Sequence, residues 1–69
     1  MISYEPLWET MRNKNITTYK LMNTYGISSH TIHSLKHDCS INMSTLENLC
    51  RILECGPQDV VQFCFDDEI

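Results

Sequence analysis

One spacing recurs five times along the chain: an apolar residue, a cap-type residue directly after it, and a second apolar residue five positions after the first. The pairs are Ile2/Leu7 around Ser3, Ile16/Leu21 around Thr17, Ile27/Ile32 around Ser28, Ile41/Leu46 around Asn42 and Cys55/Val60 around Gly56. In the hydrophobic staple, the residue before an N-cap packs on the fourth helical residue, so five such pairs predict five helix starts. The predicted helices cover about residues 4–14, 18–24, 29–37, 43–54 and 57–63. Pro6 and Pro57 fall in first turns, where a missing N–H costs nothing. Ser44 with Glu47 three residues on offers a competing start for the fourth helix. That helix is expected to bury the stripe Met43, Leu46, Leu49, Cys50 and Leu53 and to turn Asn48, Arg51 and Glu54 to solvent. The first helix offers Leu7, Trp8 and Met11 to the core. No strand-type alternation stands out. The pattern predicts an all-α fold of five short helices.

Between Ile16 and Ile41 the pattern gives two short amphipathic helices hinged on Gly26. Leu21 and Tyr25 form an i, i+4 apolar pair under the first, and Gly26 ends it where a left-handed backbone is wanted. Ser28 caps the second, whose Ile32 and Leu35 fall on one side. His30, His33, Ser34 and His37 fall on the other, within an arc of roughly 100°. One face docks on the protein and a hydrogen-bonding face looks away. A helix that reads another molecule needs both.

Composition narrows the classes. At 69 residues, with 42% hydrophobic content and only two Gly and two Pro, the chain is read as a single ordered domain, residues 1–65, with an acidic tail at 66–69. No apolar run approaches the ~18 residues of a membrane span, and the first residues lack a basic stretch followed by an apolar one, so a cytoplasmic protein is expected. Four cysteines with no C-x-x-C pair are expected to be reduced and mostly buried. The net charge of −4 is unevenly placed: residues 1–16 are neutral, 17–42 carry +1 and 43–69 carry −5. Acid is therefore kept away from the two-helix segment, where the local field matters.

These residues resemble the helix-turn-helix domains of the phage-repressor class, called Cro/CI or Xre-type, and in particular a group of very short bacterial regulators of that class. The likeness runs over nearly the whole chain. It rests on Tyr4-Glu5-Pro6-Leu7-Trp8, Thr18-Tyr19-Lys20-Leu21, the corner Tyr25-Gly26-Ile27-Ser28, and Thr31-Ile32-His33-Ser34-Leu35-Lys36-His37. The stretch 45–55 followed by Asp59 completes it. The resemblance implies a compact five-helix, lambda repressor-like DNA-binding domain, its helix-turn-helix at about 17–37, whose third helix enters the major groove of double-stranded DNA. It implies base contacts from Ser28, Ser29, His30, His33, Ser34 and His37. Phosphate contacts would come from Thr17, Thr18 and Tyr19, from Lys36, and from Ser40 and Asn42. Relatives commonly dimerise through the C-terminal end, which makes Val61, Phe63 and Phe65 the candidate interface of a homodimer. The function implied is that of a sequence-specific transcriptional regulator acting as a repressor.

The chain departs from the pattern in places. Met22 stands where many relatives have Ala, and threonines open the second helix in place of the frequent Gln. The reading helix has no Arg, Asn or Gln, the side chains suited to bidentate base contacts, so no target sequence is predicted.

The histidines and cysteines also bear on two other chemistries. His33 and His37 lie one turn apart with His30 and Cys39 near in sequence, but structural zinc wants four converging ligands, so no metal and no cofactor are expected. A Cys–His pair without an orienting third group or a cleft predicts no catalysis and no small-molecule substrate. The rival from another class is a protein-interaction module on the same scaffold, such as an antitoxin-like or phage-control component. The weak basicity of residues 17–42 keeps it open.

Overall fold

The computed structural model describes residues 1–65; the acidic tail at 66–69 lies outside the described residues. The order is β1 (Ile2–Ser3), α1 (Glu5–Asn13), α2 (Thr18–Asn23), α3 (Ser29–Lys36), α4 (Met43–Leu53), a single 3-10 turn (Pro57–Asp59) and β2 (Gln62–Phe63). No helix among the described residues is long and apolar enough to cross a membrane.

The predicted caps at the three central starts hold. The Thr17, Ser28 and Asn42 side chains accept from the N–H groups of Lys20, Thr31 and Thr45 at 3.1, 3.1 and 2.8 Å. Asn42 thus wins over Ser44 as the start of α4. The helix ends follow one rule that the pattern showed only at Gly26. Each is followed by a left-handed residue: Asn15, Gly26, Asp38 and Glu54 have φ of 57°, 74°, 55° and 51°. The N–H just beyond then folds back on the helix. Ile16 bonds to the Met11 carbonyl, Ile27 to Leu21, Cys39 to Ser34 and Cys55 to Cys50, at 2.8–3.0 Å. This satisfies carbonyls that a helix end leaves orphaned. Ile16, Ile27 and Cys55 therefore each close the helix behind them, and Ile16 and Ile27 stand directly before the caps of α2 and α3.

The core gathers Tyr4, Leu7 and Met11 with Leu21, Ile27, Ile32, Leu35, Leu49, Leu53 and Val60. Met22 packs against it half-buried, so the larger side chain is accommodated between the helices. Apolar residues from every helix are needed to enclose so small an interior.

Five expectations are corrected. First, among the described residues there are four α-helices, and the predicted fifth is only the turn Pro57–Asp59. Beyond it, β-branched and aromatic side chains in Val60-Val61-Gln62-Phe63 favour extended backbone. That backbone pairs antiparallel with the N-terminus, Ile2 opposite Phe63 and Ser3 opposite Gln62. Met1 and Cys64 extend the ladder by exchanging two bonds, at 2.7 and 3.0 Å. Second, Ser3 is not the N-cap of α1. Tyr4 holds that position, while the Ser3 hydroxyl accepts from the Glu5 N–H. Third, Tyr25 is exposed and does not join Leu21 under α2, because that helix ends at Asn23. Fourth, Met43 at the first position of α4 is 74% exposed, outside the stripe it was expected to begin. Fifth, Cys39 and Cys64 are exposed thiols, and only Cys50 and Cys55 are partly buried.

Tyr4 was absent from the expected core yet is 1% exposed. Its hydroxyl donates to the Cys39 carbonyl at 2.6 Å, and its N–H donates to Oδ1 of Asp38 at 3.3 Å. Burial first, then the neighbouring Asp38 and Cys39, push its phenol up from the ordinary value near 10. Burial likewise raises the Cys50 and Cys55 thiols. In each case the fold holds the proton more tightly than the unfolded chain. The stabilisation is complete below the unfolded pKa and is lost as pH rises through the folded one. Stability measured by urea denaturation should therefore fall as pH climbs above the thiol range, and fall further above about 10 as unfolded tyrosine ionises. Tyr4→Phe should flatten that last segment while costing about 1 kcal/mol at neutral pH for the lost hydrogen bond. An unchanged alkaline profile in Tyr4→Phe would contradict this account.

Candidate nucleic-acid interface

The left-handed Gly26 turns the chain between α2 and α3, Ile27 is buried at the corner, and Ser28 starts α3. Ile32 and Leu35 then dock α3 on the core. Ser29, His30, His33, Lys36 and His37 are exposed, and Thr31 and Ser34 are half-buried beside them. The two-faced helix is therefore present as expected. Its outer face carries imidazoles, hydroxyls and one ammonium. The His33 and His37 rings lie against each other, with centroids 4.2 Å apart and planes tilted by 40°.

Ser28 has a structural task. Besides accepting from the Thr31 N–H, its hydroxyl donates to the Thr31 hydroxyl at 3.0 Å. Ser29 makes no side-chain hydrogen bond and points to solvent.

The remaining candidates are spread around this helix. Thr17 is exposed with its hydroxyl committed to the α2 cap, Thr18 is half-buried and Tyr19 is 71% exposed. Lys36 is exposed near the end of α3. Ser40 lies instead beside an apolar pocket, with Ile2, Tyr4 and Ile41. Asn42 and Ser28 come together: both line an open groove of about 470 Å³ between the start of α3 and the outer side of α4. Thr17, Thr18 and Tyr19 do not line it.

The groove also holds Thr31, Thr45, Asn48 and Arg51, which sequence reasoning did not place in the site. The signal was present. Asn48 and Arg51 stand at helical spacing on the polar side of α4, but nothing in the sequence says which neighbour that side faces. Arg51 lies 4.0 Å from the Glu47 carboxylate, with both side chains 74% exposed. Such a pair contributes little and leaves the guanidinium able to re-pair. Two capped helix starts open here, at Ser28 and Asn42, and first-turn N–H groups have no partners within their helices. Backbone donors, a guanidinium and an amide in one groove suit an anionic oxygen, while the Glu47 carboxylate lining the same groove opposes one.

A family model described as the Cro/C1-type HTH DNA-binding domain matches residues 6–66. The chain belongs to that family. The fold of this Cro/C1-type chain is also that of a solved protein, the transcriptional regulator VanUg in its crystal form II. The two agree with a TM-score of 0.82 over 88% of this chain and 81% of that one, at 23% identity. At that identity the likeness is one of fold. No curated protein matches the chain in sequence.

The cap and the free serine should separate experimentally. Ser28→Ala should lower stability by about 1 kcal/mol through loss of the α3 cap. Ser29→Ala should change it by less than about 0.5 kcal/mol. Urea midpoints of the two variants test this, and equal losses would contradict it.

Proposed function

We propose that this Cro/C1-type chain is a sequence-specific double-stranded DNA-binding transcriptional regulator that sets α3 into the major groove. The observation that carries the reading is the two-faced α3: Ile32 and Leu35 are buried while His30, His33 and His37 look outward behind the Gly26 corner. Base edges would be met by Ser29, His30, His33, Ser34 and His37, with Ser28 at the helix start. Imidazole and hydroxyl groups donate and accept singly, so direct readout would be modest and register would depend on the backbone contacts. Those would come from Thr17, Thr18 and Tyr19, from Lys36 and Ser40, and from Asn42 together with Thr45, Asn48 and Arg51 along the groove. A domain seated on a promoter excludes other proteins from the same groove, so repression is the direct outcome.

Selection from a random duplex pool should enrich a defined site. Affinity for that site should fall steeply with salt, because bound phosphates release counterions. His33→Glu should abolish binding with the helical circular dichroism intact, since it sets a carboxylate against phosphate at an exposed position. Failure to enrich any site, with tight capture of a partner protein instead, would favour the protein-interaction module.

A homodimer is part of this proposal, with its surface redrawn because the segment expected as the last helix is a turn and a short strand. Phe63 and Phe65 are 65% and 73% exposed, their rings edge to face at 6.3 Å. Val61 is half-buried; it and Phe63 line an apolar pocket with Ile2, Ile41, Met43 and Leu46. A second copy covering this patch would bury it and place two reading helices about 34 Å apart, one turn of DNA. Phe63→Glu should yield a monomer in sedimentation equilibrium and weaken binding to a two-fold symmetric site. Wild-type protein that is monomeric at every concentration, on and off DNA, would overturn this surface.

A further inference from the structure

We propose that the His33–His37 pair is a chelating site for a divalent first-row transition ion, and that an ion held there withdraws both rings from DNA. The competition rests on the DNA reading above; the chelation does not.

Residues four apart on a helix share one face, and two histidines at that spacing are the ligand arrangement of helical zinc motifs. Here the rings already lie together, with centroids 4.2 Å apart. Both side chains are exposed and, among the described residues, neither ring makes a hydrogen bond, so each keeps a nitrogen lone pair for an ion. An ion bonded at about 2.0–2.1 Å to each ligating nitrogen holds the two nitrogens no more than about 4 Å apart, a separation of the same order as that of the two ring centroids. His33 lies within α3, which is anchored by buried Ile32 and Leu35 and capped by Ser28, and His37 is the C-cap of that helix, its N–H bonded back to the His33 carbonyl at 3.1 Å.

The ligand set also defines the ion. Imidazole suits copper, nickel and zinc, whereas magnesium and calcium take oxygen ligands. Among the described residues no third His, Cys, Asp or Glu converges on the pair. The ion would therefore have two protein ligands and exchangeable water elsewhere, unlike a closed structural zinc site. Of the charged neighbours, Lys36 is free in solvent, and the Asp38 carboxylate accepts from the Tyr4 N–H. An ion on both imidazoles occupies the lone pairs that would meet base edges and adds a hydrated bulk to the surface that enters the groove.

Nickel titrated calorimetrically into the folded chain, with the exposed thiols removed by Cys39→Ser and Cys64→Ser, tests the site. One ion should bind per chain, and magnesium should give no signal. His37→Gln should lower nickel affinity by roughly tenfold or more, since even outer partners of a metal-bound histidine are worth about that. His30→Gln should leave nickel affinity unchanged. Nickel should also lower affinity for the selected DNA site in the wild type, and EDTA should restore it. In His37→Gln, whatever its own DNA affinity, nickel should have no further effect. Equal nickel affinity in the wild type and His37→Gln would overturn the chelate. Unchanged DNA affinity at saturating nickel would overturn the competition. Nickel binding by a chain that binds no DNA would remove the DNA reading and leave the chelate standing.

Discussion

The buried side chain of Tyr4 donates its hydroxyl to the Cys39 carbonyl while the Tyr4 N–H donates to Asp38. Both acceptors lie just beyond α3, so the start of the chain holds the end of that helix. The other end is fixed by the Gly26 corner and the Ser28 cap. Between them, Ile32 and Leu35 press α3 on the core. A helix of eight residues has little stability of its own in water. Its existence and direction come from being held at both ends and along one side.

The same economy shows at the other helix ends. Left-handed residues follow all four helices, and the residue after each carries a backbone bond home to the helix. In a chain too short for a large core, these closures keep connections brief. Ile16 and Ile27 close the helix behind and stand directly before the cap of the helix ahead. The strand pair at the termini adds a further tie, joining residues 2 and 63. It also leaves the side chains of Phe63 and Phe65 exposed.

Much of this was legible in the residues. The staples and caps gave α2, α3 and α4 within a residue or two. The periodicity of α3 separated Ile32 and Leu35 from the histidines, because burial on one face is a local consequence of helical geometry. The misses share a cause. Tyr4 looks amphipathic in sequence, and its burial depends on an acceptor 35 residues away. The run after Asp59 reads as helix or strand alike, and a partner at the N-terminus decides for strand. Asn48 and Arg51 were recognised as a polar face, but only packing places that face on the groove shared with Ser28 and Asn42.

The sequence by itself determined α2, α3 and α4 with their caps, the Gly26 corner and the two-faced character of α3, because each depends on residues within a few positions of one another. Tertiary structure alone decided that four helices form instead of five, that the termini pair as strands, that Tyr4 locks the far end of α3, and that His33 and His37 rest ring against ring. Those outcomes depend on groups distant in the chain or on the side-chain torsions chosen within a packed surface. No local pattern encodes either.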